Sequence, residues 1–590
     1  MNWKRGIPYL STVLLWLVVP SAVAQDSAPP KPDIHATTRV VMVDAVVTDA
    51  KGQPVSGLNN SDFIILEDGK RQKISFFSYE SPEARAQSAG KPLPKLRPGV
   101  FTNRPEYHGT SGPLVIVLMD GLNTPPGEQM YARQQILRYL ADLKLDGPGT
   151  AILALGNDLS VLQDFTTDPQ VLKAAINKYN PNRTAMDVSS PKINFPVQSE
   201  PSGGTNSPSG QTLETGILTK DPNIDPYSIS VHSNTMAYLA EQVARFERMN
   251  ADAEQDVRIR ATLGALKQVG RSVSGYPGRK ALLWFSAGFP FSLQLNDRLD
   301  LDLSQTYRDQ IKETAALMSQ SNIAVYPIDA RGLFTATSLS DSSTETRMAQ
   351  TSQDSAPTVN LSAETWDRYH VESTMDDMAH DTGGLTFRNN NDLNGAIHTA
   401  VKDSSNYYML AYYPDRTNWD GKFHSIKVQL ADKNLKVRAR SGYYAVDPRE
   451  WGKTENRNKD LVTSNLRTLG ATGVLFYSHA VTAETKGTAT TFELLIDAST
   501  VSFGPGPDST YHSDLEFQVG AFGSDGKLIR MESQKAEGNL SPKDYEKLVK
   551  NGIPVKVAMT LKPGKYTARV AVRDNLNGNL GTLDMPLIVE

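Results

Sequence analysis

The chain has 590 residues with 39% hydrophobic and 21% charged residues, a composition that excludes a disordered protein and is too long for a single core, so three or four domains are expected. A formal net charge of −4 gives no general attraction to nucleic acid or anionic lipid. The absence of cysteine excludes thiol catalysis, iron–sulfur clusters, cysteine zinc sites and disulfides.

The chain begins with Lys4 and Arg5, an apolar stretch from Ile7 to Val19 and the small-x-small run Ala22-Val23-Ala24 before Gln25. This pattern predicts a secretory signal over 1–24 and a mature protein outside the cytoplasm, in the periplasm, at the cell surface or secreted. No later stretch has the apolar length of a transmembrane helix. Residues 36–80 then alternate apolar and polar positions, with turns at Lys51-Gly52 and Asp68-Gly69, and predict the first strands of a β-sandwich. They are too few to be stable alone. The polar, proline-containing segment 81–112 reads as a linker.

Residues 113–404 change pattern. Leu114 to Met119 is a buried-strand run ending in Asp120, and "GEQMYARQQILRYLADL" places Ile136, Leu140 and Leu143 at helical spacing behind Pro125 and Pro126. "TAILAL", the edge-like "SVLQDF", and a helix over "DPQVLKAAINKY" capped by Asp168 with Pro169 in its first turn come next. A low-complexity insert near 188–227 precedes a long helix reaching about Val273. "RKALLWFSAGFP", a helix through Tyr307, Ile311, Ala315 and Met318, "NIAVYPID", a second insert near 335–362, a helix ending near His380 and a helix through Leu393, Ile397 and Val401 complete the alternation. Such alternation predicts an α/β unit with a mostly parallel sheet and helices on both faces.

Residues 405–447 revert to period-two strands, "YYMLAYYPD", "FHSIKVQL" and "LKVRARSGYYA", and are expected to join 36–80 in one sandwich with the α/β unit inserted. Residues 460–590 alternate over "TFELLIDAS", "DLEFQVGAFGSDGKLIR" and "LKPGKYTARVAVRD", predicting an all-β immunoglobulin-like or fibronectin-like sandwich. The aromatic runs "SFFSYE" and "NYYMLAYYPD" are expected to pack in cores and across strands.

In an open α/β sheet ligands meet the carboxyl ends of the strands, where Asp120 and Ser286 stand. Oxygen ligands there suit a hard divalent cation such as Mg²⁺. The alternative is an Asp-Asn-Thr turn with a purely structural role, capping the next helix or binding backbone amides.

The runs "VIVLMDGLNT", "AILALGND", "NRTAM", "GRKALLWFSAGFP", "NIAVYPID" and "DTGGLTF" resemble successive parts of a von Willebrand factor type A domain, and Thr37 to Ala445 resembles a bacterial family of exported proteins related to it. The resemblance implies a Rossmann-like fold and a metal-ion-dependent adhesion site built from Asp-x-Ser-x-Ser, a threonine and a further aspartate. On this sequence Asp120 matches the first aspartate, Thr124 the second hydroxyl and Thr184 the second-loop threonine, with Asn123 beside them. Leu122 stands where the first hydroxyl belongs, and Ser286 or Ala287 replaces the last aspartate. The set Asp120, Asn123, Thr124, Thr184 and Ser286 is thus a degenerate site, expected to hold Mg²⁺ or Mn²⁺ weakly or not at all.

Other chemistries lack their residues. Asp381-Thr382-Gly383 matches the aspartic-peptidase triplet, but Met375 and Met378 place it at a helix end with Gly383 and Gly384 as the stop. No His-Glu-x-x-His, phosphate-binding glycine loop or Gly-x-Ser-x-Gly elbow is present. The sequence predicts a non-enzymatic exported adhesion protein whose type A-like domain binds an extracytoplasmic protein partner, with a cation-independent structural or assembly subunit of the envelope as the alternative and an envelope hydrolase as a third reading.

Overall fold

The structure is a computed structural model that describes residues 40–88, 93–108, 112–143, 147–180, 226–289, 301–331, 374–388, 392–414, 420–445, 470–481 and 490–589. The expected signal segment, the insert at 188–227 up to residue 225, the insert at 335–362 and Thr184 lie outside the described residues. Among the described residues no helix is long and apolar enough to cross a membrane.

In chain order the first elements are β1 (Val41–Thr48), β2 (Phe63–Glu67), β3 (Lys70–Gln72), β4 (Ile74–Glu80), α1 (Pro82–Ser88) and β5 (Val100–Thr102). The alternating region follows with β6 (Leu114–Asp120), α2 (Pro126–Asp142), β7 (Gly149–Leu155), β8 (Leu159–Thr166), α3 (Pro169–Lys178), α4 (Pro226–Ser272), β9 (Lys280–Ser286), α5 (Leu301–Gln320), β10 (Ile323–Asp329) and α6 (Leu393–Ser405). Next come β11 (Tyr407–Tyr412), β12 (Phe423–Leu430), β13 (Lys436–Arg438) and β14 (Gly442–Tyr444). The last part holds β15 (Phe476–Val481), β16 (Thr490–Ile496), β17 (Gly504–Pro505), β18 (Tyr511–Phe522), β19 (Leu528–Leu540), α7 (Pro542–Asn551), β20 (Ile553–Met559), β21 (Gly564–Asp574) and β22 (Leu580–Val589). The fold is multidomain, α/β with β-rich parts around it.

The α/β sheet runs β10-β9-β6-β7-β8, parallel except for the antiparallel edge strand β8. Every residue of β6, β7, β9 and β10 is buried, because helices cover both faces. Leu114, Ile116 and Leu118 pack with Leu263 and Leu266 of α4 and Ile311 and Met318 of α5. Val115, Val117 and Met119 pack with Ile136 of α2, Ile176 of α3 and Ile397 of α6. From the central β6 the chain moves outward to β7 and β8, then returns to lay β9 on the opposite side. Strand order therefore reverses between β6 and β9, and the carboxyl ends of these two strands border the crevice.

Strands from both sides of the α/β segment share two sheets, β13-β1-β11-β4 and β14-β12-β2-β3. Val43 and Ala45 of β1, Phe63 and Ile65 of β2, and Tyr408, Leu410 and Tyr412 of β11 form their common core. Tyr408 stacks obliquely on Phe63 and Tyr79, so these rings pack in the core and across strands, while Phe76 and Tyr413 of the same runs are half exposed. The run "LKVRARSGYYA" differs from expectation. It makes two short strands in different sheets, β13 beside β1 and β14 beside β12, because the chain crosses over at 439–441. Gly442 permits that crossing, since a Cβ there would meet the carbonyl oxygen of His424 at 2.3 Å.

The polar segment 81–112 is more than a linker. It carries α1 and β5, and β5 joins the last body as an edge strand with Thr102 opposite Tyr477. Thr102 Oγ1 donates to the Phe476 carbonyl at 2.7 Å, and Asn103 Nδ2 donates to the carbonyls of Ala471 and Val474 at 3.0 and 2.9 Å. Three residues are too short to show a strand period, and their partners lie more than 370 residues away. The last body consists of sheets β20-β16-β15-β5 and β17-β18-β21-β22 with β19 beside β18, around Phe476, Phe492, Phe517, Val519 and Val570. It also contains one helix that the strand pattern did not predict, α7, whose cap Ser541 accepts from Asp544 N at 3.2 Å.

Candidate functional site

Strand β6 ends on Asp120, and the chain turns through Gly121-Leu122-Asn123-Thr124 before α2. The turn is closed by the aspartate itself: Asn123 N donates to Asp120 Oδ1 at 3.0 Å. Asp120 does not cap α2, whose N-cap is Pro125 without a side-chain bond. Gln129 of α2 fastens the turn from below, its Nε2 donating to the carbonyls of Thr124 at 2.6 Å and Gly121 at 3.3 Å, while Tyr179 OH donates to its Oε1.

Four of the five residues picked out in the sequence come together, and all are at most 1% exposed: Asp120, Asn123, Thr124 and Ser286. Asn123 Nδ2 reaches Asp120 Oδ1 and Oδ2 at 3.1 and 2.9 Å, and Thr262 Oγ1 of α4 at 2.9 Å. Ser286 Oγ lies 2.8 Å from Asp120 Oδ2 and 2.9 Å from the Gly288 carbonyl, so its single proton serves one of the two. Thr124 Oγ1 accepts from Ala287 N at 3.0 Å and ties the β6 loop to the β9 loop.

Trp284 was not singled out in the sequence, yet its indole N–H donates to Asp120 Oδ2 at 3.0 Å. The signal was present: Trp284 and Ser286 are two apart on β9 and point to one face of the sheet. Thr262 and Arg258, one turn apart on α4, had no such signal. Arg258 interacts electrostatically with Asp120, and its Nε and Nη1 are buried without hydrogen-bond partners.

Burial pushes the Asp120 carboxyl above the usual carboxylate range, while Asn123, Ser286 and Trp284 pull it down by donating to it. Burial, with the charge of Asp120 added, pushes the Tyr179 hydroxyl up to about 12. Leu122 is 4% exposed and belongs to the core under β6, packed with the sheet rather than facing the crevice.

A cation needs oxygen lone pairs converging on one point. Here both oxygens of Asp120 face N–H and O–H groups, and Thr124 Oγ1 accepts a backbone proton. This donor set fits an anion held inside the protein better than a metal shell. Asn123 Oδ1 is a buried acceptor in the cluster with no partner.

No family model matches the chain, and no curated protein matches it. Among solved structures it is similar to an aerotolerance-related membrane protein from Bacteroides fragilis NCTC 9343 carrying multiple mutations to serine, at 13% identity and a TM-score of 0.23, covering 49% of this chain and 98% of that one. It is also similar to the conserved hypothetical protein BatB from Bacteroides thetaiotaomicron at 12% identity and a TM-score of 0.23, covering 49% and 97%. Proximal thread matrix protein 1 from the mussel byssus matches at 10% identity and a TM-score of 0.24, covering 56% and 49%. Likenesses at these scores carry no argument about this chain.

Proposed function

We propose that this is a non-enzymatic exported protein that engages a protein partner without a cation, as a structural or assembly subunit of the cell envelope. Its α/β unit is read as a type A-like domain in which the adhesion-type metal site has become an internal hydrogen-bonded plug. The observation that carries this reading is the Asp120 carboxylate, 1% exposed and met by Asn123 N, Asn123 Nδ2, Trp284 Nε1 and Ser286 Oγ. Arg258 of α4 feels the Asp120 charge, which offsets part of the burial that lowers its own pKa. The strands around the unit, including an immunoglobulin-like or fibronectin-like last body, orient it and add docking surface.

A second reading keeps cation-dependent adhesion, and one observation favours it: Asn123 Oδ1, buried and unpartnered, is an oxygen ligand beside Asp120. Isothermal titration of Mg²⁺ and Mn²⁺ into chelator-treated protein, alongside Asp120→Asn, separates the two. The plug reading expects no heat that depends on Asp120. Saturable binding lost in Asp120→Asn overturns it in favour of the second.

A further inference from the structure

Strand β2 ends in Glu67, and Asp68 (φ 47°) and Gly69 (φ 80°) make the left-handed turn into β3. Strand β12 runs antiparallel beside β2 with Ile426 opposite Glu67. This brings the imidazole of His424, 3% exposed, against both acidic side chains, with one ligand atom from each of Glu67, Asp68 and His424 inside a span of 4.8 Å. Ligand pairs on one tetrahedral Zn²⁺ stand roughly 3.3 Å apart, so the side chains already bracket that spacing.

His424 Nδ1 is 2.8 Å from Asp68 Oδ2, and Nε2 is 3.1 Å from Asp420 Oδ1. A neutral imidazole has one N–H, so it can donate to one of these carboxylates only. At the other nitrogen a lone pair faces a carboxylate oxygen, an unfavourable pairing that a bound metal ion would relieve. Glu67 brings a second carboxylate within reach of the same cluster, and Asp420 on the Nε2 side fixes the ring, as carboxylates behind metal-bound imidazoles do. The rest of the cluster is oriented as well: Asp68 Oδ1 accepts from Ser425 N at 2.9 Å and lies 3.3 Å from Ser425 Oγ, and Tyr443 OH donates to Glu67 Oε1 at 3.3 Å. Asp68 is exposed, which gives an ion and its remaining water ligand a way in.

We propose that Glu67, Asp68 and His424 bind a borderline divalent cation of the Zn²⁺ class, with Asp420 as a positioning residue. One imidazole and two carboxylates leave a fourth position to water and suit such an ion. The ion ties the β2–β3 turn to β12, elements that stand 356 residues apart at the Asp68–His424 contact. It is a structural clasp within one sheet, between the chain segments before and after the α/β unit. The competing arrangement is the hydrogen-bonded cluster with no ion bound.

The test is titration of Zn²⁺ into the chelator-treated full chain by calorimetry, with Co²⁺ absorption as a second probe. One equivalent is expected to bind, with affinity falling about 100-fold or more in His424→Gln and Asp68→Asn and by about 10- to 100-fold in Asp420→Asn. Asp120→Asn is expected to bind Zn²⁺ as the parent does, so failure here is distinguishable from failure of the plug reading. Each variant is first checked for parental circular dichroism; if His424→Gln does not fold, a Zn²⁺-dependent rise in the thermal midpoint of the parent, absent in Asp68→Asn, serves instead. No saturable binding, or binding unchanged by these substitutions, overturns the proposal and leaves a cluster held by hydrogen bonds alone.

Discussion

Trp284 Nε1 donates to Asp120 Oδ2 across 3.0 Å, joining the carboxyl ends of β9 and β6 where strand order reverses. The indole N–H and the carboxylate are both buried, so the indole depends on the carboxylate for its partner, while the carboxylate also accepts from Asn123. Asp120→Ala leaves the Trp284 N–H and Asn123 N without their acceptor, and a loss of about 3 kcal/mol is expected in urea denaturation, at roughly 1–3 kcal/mol for each stranded donor. Trp284→Phe keeps most of the ring and removes one donor, so about 1 kcal/mol is expected from that lost bond. Both losses should be the same with Mg²⁺ or with chelator. A stability that rises with Mg²⁺ in the parent and not in Asp120→Ala would contradict the plug.

Leu122 supplies the complementary experiment. Leu122→Ser restores the hydroxyl that an adhesion site requires, but the leucine side chain lies in the core beneath β6. The substitution exchanges buried apolar volume for an alcohol, and a loss of about 2–4 kcal/mol is expected by denaturation, as for other large-to-small core changes. Calorimetry should detect no Mg²⁺ binding in the variant. Gain of a saturable Mg²⁺ site would mean that the turn opens more readily than its hydrogen bonds indicate.

Leu122 also marks how far the sequence is legible. Buried strands such as Leu114–Asp120 and Lys280–Ser286 show as apolar runs because helices cover both faces, and the Asp168 cap shows because a short side chain bonds the nearby Gln170 N at 2.8 Å. The destination of Asp120 is legible in its own neighbourhood only in part: the turn bond from Asn123 N is local, whereas Trp284 and Ser286 arrive from more than 160 residues on. A leucine in a turn reads as a missing ligand until the sheet beneath it is seen. Arg440 gives no sequence signal of its own, yet beside the crossover between β13 and β14 it lines a small cavity with buried Asp44.

Asp44 of β1, Arg279 just before β9 and Arg440 line one small cavity together with Met42, Ser319, Asn322, Ile323 and Thr382. Arg279 Nη2 donates to the Gly383 carbonyl at 2.6 Å, and the charges of Arg279 and Arg440 both act on buried Asp44. Asp44→Ala removes the buried carboxylate that both cations feel, although Asp403 still acts on Arg279, and a loss of about 3 kcal/mol is expected, the low end for a broken buried pair. Adding Arg440→Met should recover part of that loss in a double-mutant cycle, because the pair is coupled. Strict additivity of the two substitutions would show that Asp44 does not serve Arg440.

Lys280 begins β9 with its ammonium buried, donating to the carbonyls of Tyr276 and Gly278 at 2.6 and 2.9 Å. Burial pushes its pKa down from 10.5 to about 7, against the pull of Asp44. Below about 7 the folded and unfolded chains both hold the proton, and between about 7 and 10.5 the unfolded chain binds more of it. Stability from this group therefore rises with pH across that window and is lost as pH falls through the folded value. Lys280→Met should flatten the rise, measured as the difference between parent and variant denaturation midpoints from pH 6.5 to 9.5. A difference independent of pH would mean that Lys280 keeps an ordinary pKa.

Two glycines, one in α4 and one just beyond its end, should respond with opposite signs. Gly264 lies on the exposed face of α4 with nothing within 4 Å of a built Cβ, so Gly264→Ala replaces a poor helix former by a good one and should add about 0.5–1 kcal/mol. Gly275 follows the helix, and a Cβ there would fall 1.7 Å from the carbonyl oxygen of Thr472. That approach places Thr472 N on the Ser272 carbonyl at 2.8 Å, and Ala471 next to it is held by Thr582 Oγ1 at 2.7 Å. Gly275→Ala must push the 470–474 segment off the end of α4, so amide exchange at Thr472 should accelerate while the amides of β6 keep their protection. Parental exchange at Thr472 in the Gly275 variant would show that the segment is not seated on α4, and a loss of stability in Gly264→Ala would show that this face of the helix is covered in solution.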